Sequence, residues 1–144
     1  MVIFLIHILT TLMVAGMIWF IQVVHYPLLR HVGAASFTTY ETAHTRLSIM
    51  TVVSLMVIES FTGTWLLISR PTGIDVIPCA LGIALLVLIW WSTFALQVPQ
   101  HQMLISGFNA QAYHRLVKSN WIRTAAYTAR ALLMLWMIVG VINR

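Results

Sequence analysis

Hydrophobic residues occupy four long stretches of this chain, and charged residues lie almost entirely between them. Two of the stretches contain no charged residue, one contains only Glu59, and the last contains only Arg130. The stretches run from Met1 to Val24, Leu47 to Ser69, Val76 to Val98 and Thr124 to Asn143. Each is long enough for the roughly 20 residues that an α-helix needs to cross a bilayer core. The pattern predicts four transmembrane helices, with spans at about residues 2–26, 45–69, 77–98 and 122–143.

The composition excludes an ordinary soluble protein. Of the 144 residues, 60% are hydrophobic and only 8% are charged, whereas a soluble domain is about 25% charged. We therefore expect an all-α fold: an integral membrane four-helix bundle in which residues 1–144 form a single transmembrane domain, with no soluble domain. The first span has no basic segment before it and no small-residue cleavage site after it, so we expect a retained helix rather than a signal peptide.

The net charge of +5 indicates membrane topology, and no nucleic-acid partner is expected because Lys and Arg form no basic face. The connections after the first and third spans carry, within or beside them, Arg30, Arg46, Arg115, Lys118 and Arg123. Only Arg70 and Arg144 mark the opposite side. The positive-inside rule then predicts cytoplasmic connections and outward termini, with a bacterial inner membrane as the expected location.

The two halves of the chain show the same order of features. In each half a His is followed by a Gly, a Phe, and then a Glu or Gln three residues before a second His. The corresponding residues are His25 and His101, Gly33 and Gly107, Phe37 and Phe108, Glu41 and Gln111, and His44 and His114. Two spans per half predict a parallel repeat of two helical hairpins, which places equivalent residues at equal depth.

Local signals suggest where the helices begin and bend. Thr38 with Glu41 three residues later is typical of a capping box, and Asn109 is a candidate N-cap. The even-numbered helices are therefore expected to begin before their apolar parts. Pro27 is expected to end or kink the first helix and Pro99 to kink the third.

This arrangement predicts a cluster of His25, His44, His101 and His114 on the cytoplasmic side. Imidazoles are common ligands of iron, copper and zinc, and two of them on facing helices could hold a b-type haem. Glu41 lies three residues before His44, on one helical face, as in carboxylate metal sites of helix bundles. All five side chains are candidate metal ligands, and the histidines are candidate cofactor ligands. The alternative is a set of interfacial histidines hydrogen-bonded to neighbouring groups.

Gln111 stands where the first half has Glu41, which counts against a symmetric di-iron centre. A mononuclear, copper or haem site fits the composition better. A general base, if one exists, would have to be a histidine, Glu41 or Glu59, since the chain has only 3 acidic residues.

Glu59 and Arg130 are the charged residues inside the spans, and the repeat places them at matching depth. Together with Glu41 they are the candidate catalytic residues, because an ionisable group within a membrane span is by default a functional-site hypothesis. The alternative is a structural ion pair that fixes helix packing. His7 is expected to face Glu59 from the first helix.

The segment Asn120–Thr124 brings an amide, an indole and the Arg123 guanidinium to the start of the fourth span. Anchoring to lipid headgroups is the favoured interpretation, and contact with an anionic ligand is the alternative.

Three functions fit these patterns. The first is a membrane oxidoreductase or redox subunit that holds haem or a metal and acts on a hydrophobic substrate. The second is a non-catalytic accessory subunit of a larger membrane complex. The third is a proton or metal carrier that uses Glu59. Expected partners are the lipid bilayer and other membrane subunits or a homo-oligomer.

Overall fold

The computed structural model describes residues 1–142, which form four long helices joined by short connections. The helices are α1 (Val2–Leu29), α2 (Ala34–Ile68), α3 (Val76–Ile105) and α4 (Ala110–Ile142). All four are long and apolar enough to cross a membrane, which confirms the predicted all-α membrane fold. Residues 1–142 include no β-strand. The predicted end of the fourth span at Asn143 and the predicted outward Arg144 lie outside the described residues.

The helices are longer than a bilayer core requires. The 28 residues of α1 and the 35 of α2 extend about 42 and 52 Å, against about 30 Å of hydrocarbon. Much of this additional helix length lies beside the connections at 30–33 and 106–109, because α2 and α4 begin well before their apolar stretches. We call this end of the bundle the connection side and the other end the terminal side.

Each helix packs against two neighbours, so that α1, α2, α3 and α4 follow one another around the bundle and α4 returns to α1. The middle of the core is an apolar cluster that includes Ile18, Met56 and Tyr127. Further clusters at the terminal and connection sides contain Met134 and Leu116, respectively. Outward faces expose large apolar side chains, as expected for surfaces in contact with lipid.

The helix starts agree with one predicted cap and correct the other. Asn109 Oδ1 accepts a hydrogen bond from the backbone N–H of Ala112 at 2.9 Å, which confirms Asn109 as an N-cap. The capping box at Thr38 is wrong, because α2 already begins at Ala34. Gly33 precedes that helix in an extended conformation, and Glu41 is used in a contact with another helix.

Three helices contain a π-helical segment, at Ile21–His25, Ile49–Val53 and Thr93–Gln97. Pro27 and Pro99 each lie two residues beyond such a segment. A proline ring clashes with the carbonyl four residues earlier, and a wider turn before it relieves that clash. The helix end expected at Pro27 is therefore not observed, since α1 continues to Leu29.

Candidate functional site

Three of the four predicted histidines meet near the connection side. His25, His44 and His101 come from α1, α2 and α3. The ring centroids of His25 and His44 lie 4.2 Å apart with nearly parallel planes, and those of His44 and His101 lie 5.4 Å apart. We call these three side chains the histidine row.

His114 lies apart from this row, so the predicted convergence of four histidines is wrong. The buried face of α4 here is formed by Tyr113, Leu116 and Asn120. Consecutive residues are turned by about 100° around a helix axis, which directs His114 to the exposed surface. Its ring adjoins that of Tyr113, at 5.4 Å between centroids.

Glu41 is fully buried and orients His101. Its Oε1 lies 2.5 Å from Nδ1 of His101, so in the neutral imidazole the carboxylate accepts the hydrogen on Nδ1 and Nε2 carries the lone pair. The hydroxyl of Tyr26 lies 3.4 Å from this Nε2, which is longer than an ordinary hydrogen bond. Nε2 is therefore available to accept a proton. Glu41 thus contacts His101 of the neighbouring helix, although His44 is closer to it in sequence.

A cavity of about 340 Å³ adjoins His101 and is bounded mainly by α2 and α3. Each helix contributes one ionisable side chain to its lining, namely Tyr26, His44, His101 and Arg123. The remaining lining is largely apolar, and residues of all three π-helical segments take part in it. π-Helical turns occur frequently at functional sites. We call this space the main cavity.

An exposed apolar residue lies beside the main cavity, between α2 and α3. Ile49, which lines it, is 56% exposed on the lipid-facing surface of α2. Ile105 and Val98 line it from α3. A second space of about 440 Å³ lies on the other side of α2, between α1 and α2, and His25 and His44 border it.

Arg123 is directed into the bundle, so the interpretation as a headgroup anchor is wrong for this residue. Its side chain is only 7% exposed, and its Nε has no hydrogen-bond partner within residues 1–142. Asn120 is also buried and donates from Nδ2 to Gln22 Oε1 at 2.8 Å. Trp121, in the same segment, is exposed, as is typical of a tryptophan at the membrane interface.

The sequence contained a signal for this buried polar face. Tyr113, Asn120, Arg123, Tyr127 and Arg130 follow one another at spacings of seven, three, four and three residues. Such spacings keep side chains on one side of a helix. The apolar residues of this helix do not distinguish its buried face from its outward face, because both faces of a membrane helix are hydrophobic.

The predicted ion pair between Glu59 and Arg130 is confirmed. Arg130 Nη2 lies 2.7 Å from Glu59 Oε1, and neither side chain is exposed. His7 also reaches this pair, since its Nε2 lies 3.5 Å from Arg130 Nη2. Tyr127 donates to the other carboxylate oxygen at 3.2 Å. Both carboxylate oxygens therefore have partners, and a catalytic role for Glu59 or Arg130 stays a prediction.

The arrangement supplies no ready metal site. Among residues 1–142, no group of three or more His, Cys, Asp and Glu side chains is placed to hold a metal ion. A metal or haem ligand role for the histidine row and Glu41 stays a prediction. The chemistry of the main cavity is thus the guide to function, since no protein family model, curated protein or solved structure matches the chain.

Proposed function

We propose that the chain is a membrane enzyme that removes a proton from a small apolar substrate entering the main cavity from the bilayer. His101 is the general base, and Glu41 is the residue that positions it. The observation that carries this proposal is the 2.5 Å contact between buried Glu41 and His101, at the wall of a cavity lined mainly by α2 and α3. A positioned base of this kind contributes about 10²–10⁴-fold to a rate.

The proton step follows from the tautomer that Glu41 selects. A proton bound to carbon of the substrate moves to Nε2 of His101, and the bonding electron pair stays on the substrate. The imidazolium that forms keeps its Nδ1–H bond to the Glu41 carboxylate, which stabilises the new positive charge. The step needs no oxidant.

Hydrogen exchange tests the proposal without a known substrate. The full-length protein in lipid nanodiscs is incubated in D₂O with a lipid extract of its host membrane, and mass spectrometry identifies compounds that gain carbon-bound deuterium. We expect at least one such compound with the wild type and with His114→Asn, which changes an exposed histidine. His101→Asn should abolish the exchange. Exchange that is absent from the wild type, or unchanged in His101→Asn, would contradict the proposal.

A redox site is the second candidate, and unpaired buried atoms favour it. His25 Nε2 and Glu41 Oε2 are buried without hydrogen-bond partners in the described part of the chain. A bound iron, copper or zinc ion, or a b-type haem, would give such atoms a partner, and the protein would then be a membrane oxidoreductase or redox subunit. Elemental analysis and an absorption spectrum of purified protein decide this. A stoichiometric metal or a Soret band that disappears in His25→Asn is the expected result, and metal-free active protein removes this candidate.

The other two alternatives have less support. A carrier that uses Glu59 needs a polar path from the histidine row, but the apolar cluster with Ile18 and Met56 lies between them. An accessory subunit requires no base at a cavity. Co-purification with other membrane subunits, together with no exchange activity, would favour it.

A further inference from the structure

The acidic residues leave one buried cation without a partner. The chain has 3 acidic residues. Glu59 pairs with Arg130, Glu41 is bonded to His101, and Asp75 precedes α3 on the terminal side. Within residues 1–142, these two are the ion pairs, and Arg123 takes part in neither.

Such a cation is costly in this location. Arg123 is more than nine-tenths buried, and it lies in a helix packed against α1 and α3. A buried charge is normally paired and hydrogen-bonded, because the low dielectric of its surroundings favours neither an isolated ion nor an unsatisfied N–H. Arg123 instead borders the main cavity. The missing partner can therefore be supplied by whatever occupies that cavity.

We propose that the main cavity takes a lipid-soluble weak acid whose conjugate base carries its charge on oxygen, and that Arg123 binds this oxygen. The inference rests on the proposed function, in which His101 accepts the acid's proton. Charges then balance after the transfer, since protonated His101 pairs with Glu41 and the substrate anion pairs with Arg123. A planar guanidinium with several N–H donors suits an oxygen anion well.

The shape of the cavity fits the apolar part of such a molecule. A volume of about 340 Å³ is near the lower end of the range for small-molecule sites. Ile49, Val53 and Ile105 are apolar lining residues on α2 and α3, and Arg123 borders the cavity from α4. We therefore expect the acidic group to lie inward and a ring or short alkyl chain to extend toward lipid.

A coloured acid makes the prediction measurable. The probe is 4-nitrophenol with a short alkyl chain, whose phenolate absorbs at a longer wavelength than the phenol, and its methyl ether is the uncharged comparison. At one fixed pH, wild-type protein in neutral detergent should bind the probe mainly as phenolate. Arg123→Gln should lose about 10- to 100-fold in affinity, the usual weight of a hydrogen bond to a charged group, and should show the phenol band. Arg115→Gln, an exposed change on the same helix, should behave like the wild type.

Several outcomes would overturn the proposal. One is a folded Arg123→Gln variant that keeps phenolate binding; another is wild-type protein that binds the methyl ether as tightly as the acid. The second comparison needs no variant, so it holds even if Arg123→Gln fails to fold. His101→Asn separates this inference from the proposed function. Phenolate binding that persists in His101→Asn, alongside wild-type protein with no deuterium exchange, would support the role of Arg123 and reject catalysis.

Discussion

Arg130 donates two hydrogen bonds to one carboxylate oxygen of Glu59 in the buried interior, with Glu59 Oε1 2.7 Å from Nη2 and 3.0 Å from Nε. Thr11 of α1 donates to the same oxygen at 2.7 Å, and Arg130 also donates to the carbonyl of Gly82 in α3. Glu59 itself belongs to α2 and Arg130 to α4. The pair therefore connects all four helices at one depth, so we expect it to contribute to the stability of the fold.

Removing one partner of this pair should cost more than removing both. Glu59→Met leaves the Arg130 guanidinium buried without a counter-ion, and Arg130→Met leaves the Glu59 carboxylate in the same condition. Each single change should lower the free energy of unfolding by about 3–5 kcal/mol, and the double change should lower it by less than either single change. The measurement is the midpoint of SDS-induced unfolding from mixed micelles. Arg46→Met, at an exposed position, is the control and should shift the midpoint little. Additive losses in the double variant would show that the two residues act independently.

Close packing beside the same network predicts a steric effect at Gly63. A Cβ at Gly63 would lie 3.0 Å from His7 Cε1 and 3.3 Å from Ile83 Cδ1, whereas a Cβ at Gly16 meets nothing within 4 Å. Gly63→Ala should therefore destabilise the protein by about 1–3 kcal/mol. Gly16→Ala should cause no loss, because alanine favours a helix over glycine. Equal unfolding midpoints for the two variants would mean that the helices separate to accommodate the methyl group.

The sequence predicted the membrane fold well because a soluble domain of this size could not bury four apolar stretches of such length. The depth of Glu59 and Arg130 was also predictable, since each is the one charged residue in its span. Helix starts were harder. The segment from Ala34 to Thr38 is compatible with either a helix or a connection, and only its packing against α3 decides between them.

The site was predictable only in part. Spacing along the chain brings His25, His44 and His101 to one end of the bundle, but it does not determine the rotation of each helix about its axis. That rotation separates His114 from the histidine row and places Arg123 at the main cavity. It also joins Glu41 to a residue 60 positions away. A difference of one residue turns a side chain by about 100°, which periodicity cannot resolve in helices that are apolar on every side.

The uneven distribution of basic residues predicts the membrane topology, which can be measured directly. Arg123 is buried, but within residues 1–142 the connection side still carries more exposed basic residues than the terminal side. In a Cys79→Ser background, Thr72→Cys marks the terminal side and Ser106→Cys the connection side, both at exposed positions. A membrane-impermeant thiol reagent added to intact cells should label Thr72→Cys and leave Ser106→Cys unlabelled until the cells are opened. The reverse pattern would show that the main cavity is nearer the outer surface.

The positioning role of Glu41 predicts non-additive effects on hydrogen exchange. Glu41→Gln no longer offers a carboxylate to Nδ1, so the preferred tautomer of His101 and the stabilisation of its charged form should both weaken. The rate should fall by up to about 10²-fold, less than with His101→Asn. In a His101→Asn background, Glu41→Gln should have no further effect, because the two residues act as a unit. Nitrogen NMR of labelled His101 should show the Nδ1–H tautomer in the wild type and a mixture in Glu41→Gln. An unchanged tautomer with a reduced rate would assign Glu41 a purely structural role.

Entry from the bilayer predicts that bulk at the mouth of the main cavity slows binding. Val53 lines the cavity on α2, whereas Val57 lies one turn further along the same helix, is 39% exposed and does not border the cavity. Val53→Trp should reduce the association rate of the alkyl nitrophenol probe by about one to two orders of magnitude. Val57→Trp adds the same side chain to the lipid-facing surface and should leave the rate unchanged. Stopped-flow absorbance in nanodiscs measures both. Equal rates in the two variants would indicate that the substrate reaches His101 by another route, of which the space between α1 and α2 beside His25 is the nearest.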